Sequence, residues 1–129
     1  MRRSIDFYRT RAAGASLVLA AALSLVIANA AGQETPAEHV FELRLAEDRL
    51  ADGPSVVRVL QGDLVILRWT TDRAVELHLH GYDVSVRATP AAPAEMRLEA
   101  HATGRFAVAA HDEARDVERT ILHLEVHPR

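Results

Sequence analysis

The chain contains no cysteine and no lysine, and aromatic residues make up only 5% of its 129 positions. Without cysteine there are no disulfides, so a small exported domain must stand on its hydrophobic core or on a bound metal. A lipid-modified N-terminal cysteine is excluded for the same reason. Serine is scarce: beyond residue 30 only Ser55 and Ser85 occur, and neither sits in the nucleophile-elbow context of a serine hydrolase. No pair of carboxylates stands out for glycoside chemistry. There is one long apolar run, and no stretch beyond it repeats with the 3.6-residue period of an amphipathic helix.

That run is residues 12 to 28, AAGASLVLAAALSLVIA, with no charge. Arg2, Arg3, Arg9 and Arg11 precede it against a single acid, Asp6, and the small-x-small triplet Ala28-Asn29-Ala30 closes it. This is the layout of a secretory signal peptide, and it predicts cleavage near Ala30 and a periplasmic product. The alternative, an uncleaved membrane anchor, is disfavoured because the run is short for a bilayer and rich in Ala rather than Leu. Residues 31–38, AGQETPAE, predict a flexible lead-in, and residues 39–129 a single domain. Beyond residue 30 the chain carries eleven Arg against seventeen Asp and Glu, net −6 with histidine neutral, and all seven histidines. Such an acidic surface disfavours nucleic acid and anionic lipid as partners and attracts cations.

Along the domain apolar residues alternate with polar ones, broken by turn signals every 8 to 12 residues or so. The pattern predicts strands at Val40–Leu45, Val56–Leu60, Leu64–Thr70, Val75–His80, Tyr82–Arg87, Glu95–His101, Arg105–Ala110 and Thr120–His127. Asp112–Glu118 is charged and reads as a loop. About eight short strands, each with one apolar face, imply an all-β Greek-key sandwich. Trp69, Met96 and Phe106 read as core.

His78-Leu79-His80 is the sharpest chemical signal. Side chains at i and i+2 of a strand point the same way, about 7 Å apart, so two imidazoles can converge on one ion. Two ligands bind weakly, and His111, at the predicted end of a strand with the small Ala107 and Ala109 on its face, is the candidate third. Asp83, Asp112 and Glu113 are near enough in sequence to orient a ligand ring. His123 and His127 read as solvated on the outer face of the last strand, together with Ile121. His101 reads as a loop residue. His39 belongs to the lead-in and carries no expected role.

The run from Val59 to Thr70, VLQGDLVILRWT, resembles the strand–turn–strand opening of the cupredoxins. His80-Gly81-Tyr82-Asp83 resembles the segment that carries that family's first copper histidine. Gly104-Arg105-Phe106 resembles the start of the strand leading into the copper loop, and Ile121–Val126 the closing strand. The resemblance covers roughly Val40 to Pro128. It implies a copper ion, with His80 and then His111 in ligand positions and His78 an additional histidine. The family's blue-copper centre needs a cysteine thiolate and a weak axial Met. Here Ala109-Ala110-His111 stands where the cysteine is expected, and no Met follows His111. In this the chain resembles divergent periplasmic cupredoxin-like domains that lack that cysteine.

The sequence therefore predicts a periplasmic protein, not an enzyme, that holds or delivers a metal through His78, His80 and His111. Copper is the expected ion, with zinc or nickel as alternatives for a site of nitrogen and oxygen donors. A metal-free sandwich that binds a protein partner in the cell envelope is the alternative function. A zinc hydrolase is less favoured, because no general base can be nominated.

Overall fold

In the computed structural model, which describes residues 35–112 and 114–129, the alternating segments form nine β-strands and no helix. They are β1 (Glu38–Ala46), β2 (Arg49–Asp52), β3 (Val56–Leu60), β4 (Leu64–Thr71), β5 (Val75–Leu79), β6 (Val84–Ala88), β7 (Ala94–Glu99), β8 (Gly104–Asp112) and β9 (Val117–His127). One sheet has the order β2-β1-β4-β7 and the other β3-β9-β8-β5-β6. The pairs β1–β4 and β3–β9 are parallel and the rest antiparallel. The chain passes between sheets at the β2–β3, β3–β4, β4–β5, β6–β7 and β7–β8 connections, giving the expected Greek-key sandwich. The expected signal segment, residues 1–30, lies outside the described residues.

Period-two alternation decides what is buried. In β4, Val65, Leu67 and Trp69 turn to the core, and β5 sends Val75, Leu77 and Leu79 to meet them from the other sheet. Met96, Val108, Leu122 and Leu124 complete the same cluster. Polar faces therefore alternate outward, which is what places Glu76 and His78 on the outer side of the five-stranded sheet.

Three expectations need correction. Arg49–Asp52, which the alternation assigned to no strand, forms β2, a short edge strand beside β1. Asp112–Glu118 is not a loop throughout: β8 runs on through Asp112, β9 begins at Val117, and His111 pairs opposite Glu118. Ile121 is buried rather than outward, because the β8–β9 register shifts between Val108 and Ala109. Such a shift inserts an extra residue and reverses the inward–outward count beyond it.

His39 also has a structural part that its position in the lead-in did not suggest. It lies in β1, and its Nε2 is 2.9 Å from Oδ2 of Asp63 at the β3–β4 turn. Asp63 is the one buried polar or charged residue among those described. Its carboxylate accepts the N–H groups of Ala37 and Leu60, each at 3.0 Å, and pairs with the Arg129 guanidinium. Burial alone would push its pKa up. The two backbone N–H donors, then His39, then Arg129 overcome that and hold it at about 2.

Candidate metal centre

β5 stops at Leu79 because Gly81 turns the chain with φ of 87°. A Cβ at this position would fall 2.6 Å from Cδ1 of Phe106, so only glycine lets the turn lie against that ring. Tyr82 pins the turn from the other side. Its hydroxyl donates to the Ala102 carbonyl at 2.8 Å and accepts the Ala102 N–H at 3.1 Å. Its ring meets those of Phe106 and His101 edge-on, with centroids 4.8 Å apart in both cases. The turn following the two histidines is thus held by a backbone constraint and by aromatic packing.

On that braced segment His78 is half-buried, His80 is exposed, and their ring centroids are 4.5 Å apart. The neighbouring strand β8 places Ala109 opposite His78, and the Ala107 carbonyl accepts the His80 N–H at 2.9 Å. Two alanines in this position leave little above the sheet between β5 and β9. His80 leans across that gap, and its Nε2 lies 3.0 Å from Oε1 of Glu118 on β9. His78 faces Asp83, at 3.5 Å, on the far side of the turn.

Among the described residues His111 makes no contact with this pair. It sits opposite Glu76, two residues along β8 from the Ala109 that faces His78, and its Nε2 is 3.9 Å from Oδ1 of Asp116. The structure brings His78 and His80 together and turns His111 toward a carboxylate of its own. As the side chains lie, no three His, Asp or Glu groups among the described residues are grouped to hold a metal ion. Asp83 lies beside the His78 ring, at 3.5 Å. Asp112 instead faces Arg73 and Arg115, and Glu113 lies outside the described residues. His127 is exposed, and His123 is half-buried beside Ala107 on the outer face.

Glu118 escaped the sequence reading. It belongs to a charged run, and the register shift before Ala109 hides the alternation that would have placed it on the same face as His111.

The donors assembled here are imidazole nitrogens and a carboxylate oxygen. A blue-copper centre does not fit them, since no thiolate exists in the chain. Nitrogen and oxygen are the donor types that tetragonal or tetrahedral ions take.

No family model matches the chain, and no curated protein matches it in sequence. Solved structures similar to it include a heme-copper terminal oxidase dimer, at 16% identity over 75% of this chain and 68% of that one, with a TM-score of 0.59. A multi-copper oxidase from Pseudomonas thermotolerans is similar at 17% identity over 73% of this chain, with a TM-score of 0.55. The match spans only 30% of that oxidase chain. At such identities the likeness establishes the fold, and the domain is a cupredoxin-like β-sandwich.

Proposed function

We propose that this is a periplasmic copper-binding protein that holds the ion through histidines of one sheet face and passes it on. The observation that carries the reading is the His78–His80 pair, whose rings lie 4.5 Å apart on a braced turn. Copper is favoured over zinc or nickel because the solved structures of like fold are those of copper-containing oxidases. The periplasmic location rests on the Arg-rich start and apolar run of the first 30 residues.

His78 and His80 supply the binding; the bonds of Tyr82 to Ala102 and the packing of Gly81 on Phe106 keep them in place. Copper so bound is coordinated by nitrogen and oxygen, a ligand set suited to storage and transfer and poor for fast one-electron exchange. His80 is on the surface, so a partner can approach the ion directly. The acidic charge of the domain favours a cation over an anion at that face.

Calorimetric titration with Cu(II) tests this. Replacing His78 or His80 by Ala is expected to weaken binding by about 1–3 kcal/mol, roughly tenfold to hundredfold. Replacing His127, exposed at the end of β9, is expected to change little. Equal behaviour of all three variants would remove the site.

A second reading has its own observation. His78, His80 and His111 each face a different carboxylate, Asp83, Glu118 and Asp116. Taken as ion pairs, they make a polar sheet face that suits a metal-free sandwich binding a protein partner in the envelope. That is the reading to adopt if Cu(II) fails to bind.

A further inference from the structure

We infer that Glu118 is the third ligand of the His78–His80 site. This rests on the metal-binding reading above and alters its ligand set, since Glu118 takes the place that the sequence pattern gave to His111.

Two donor atoms in adjacent coordination positions, each about 2 Å from an ion, stand about 3 Å from each other. The separation of His80 Nε2 and Glu118 Oε1 is 3.0 Å. The distance now spanned by a hydrogen bond therefore matches that between neighbouring metal ligands. An ion can take the proton's place with little movement of either side chain. His78 completes the set by swinging its ring away from Asp83. That contact is long, 3.5 Å, and its carboxylate is fully exposed, so it holds the ring weakly.

The backbone under Glu118 is well fixed. It pairs with His111 across the β8–β9 ladder. The hairpin beyond it is tied down where the Arg115 guanidinium meets Oδ2 of Asp48 at 2.9 Å, an oxygen shared with Arg73 at 3.3 Å. The gap above Ala107 and Ala109 is what lets β5 and β9 side chains meet across an intervening strand. Charge favours the carboxylate as well. Two neutral imidazoles leave a divalent ion with its full charge, and one carboxylate halves it. Among the described residues His111 makes no such contact with the pair and meets Asp116 instead, at 3.9 Å.

The experiment is a Cu(II) titration of the full chain and of Glu118→Ala, Glu118→Gln, His111→Ala and His80→Ala, with electron paramagnetic resonance of each loaded protein. Far-UV spectra check that every variant keeps the fold, and Glu118→Gln preserves size and hydrogen bonding while removing the charged oxygen donor. Both Glu118 variants are expected to bind tenfold to hundredfold more weakly, with a changed resonance spectrum. His111→Ala is expected to stay within about twofold of the parent in affinity, with its spectrum unchanged. Glu118 variants with parental affinity and spectrum, alongside a weakened His80→Ala, would overturn the inference and leave the histidine pair standing. A loss in His111→Ala as large as that in Glu118→Ala would also overturn it. Parental binding in His80→Ala as well would sink the metal-binding reading itself.

Discussion

Replacing Asp63 by Ala will destabilise the domain by about 3–5 kcal/mol, the range for removing one partner of a buried ion pair. Its carboxylate is 2% exposed and serves four groups at once: the N–H groups of Ala37 and Leu60, the His39 ring and the Arg129 guanidinium. Truncation leaves buried backbone donors without this acceptor and the Arg129 guanidinium without this counter-charge. Against a total stability of about 5–15 kcal/mol the loss is large, and in a domain of this size it corresponds to a fall in Tm of well over 10 °C.

The same residue sets the acid response. Its folded pKa is about 2 against an ordinary 3.8, so the folded state binds the proton less readily than the unfolded one. The stabilisation is fully present above the unfolded value and is lost as pH falls through the folded one. The difference corresponds to about 2–3 kcal/mol, removed progressively between about pH 5 and pH 1. Urea titrations at stepped pH will show that slope in the parent, and Asp63→Asn will lose that share of it. A variant as acid-sensitive as the parent would mean that other carboxylates carry the effect.

Trp69 carries the second large effect. It is fully buried in β4, between Leu43 and Ala94 of the adjoining strands. Trp69→Ala is expected to cost about 3–5 kcal/mol, through lost burial and the cavity left behind. Trp69→Phe should be much milder, for a reason particular to this site. The indole Nε1 is buried with no hydrogen-bond partner among the described residues. Burying an unpartnered donor costs about 1–3 kcal/mol, and Phe removes that donor while keeping most of the apolar volume. The relief offsets much of the void, so the net change should lie within about 1 kcal/mol or so. Thermal unfolding of both variants checks this, and a Phe variant nearly as unstable as the Ala variant would show that Nε1 has a partner in solution.

How far the sequence reached depended on whether a residue's role was local. The period-two runs around Leu77 and Trp69 gave strand and inward face together, because alternation is a property of a few consecutive residues. Val56–Leu60 was legible to its ends, bounded by turn chemistry on one side and Gly62 on the other. The His78–His80 pair was legible for the same reason, since i and i+2 share a face in any strand. Glu118 and His39 were not, because their partners lie 38 and 24 residues away. What joins them is sheet order and register, and the shift at Val108–Ala109 left no unambiguous mark in composition. His111 was placed by local pattern beside a loop that the structure shortens to the turn between β8 and β9, and there it meets Asp116.

The central claim is that metal is held by histidines on the outer face of the five-stranded sheet. The most direct test is the metal content of the protein recovered from the cell envelope, set beside that of a His78→Ala, His80→Ala double variant prepared identically. The account predicts one copper per chain in the parent and none in the double variant. A parent free of metal, or a double variant carrying as much copper as the parent, would contradict it.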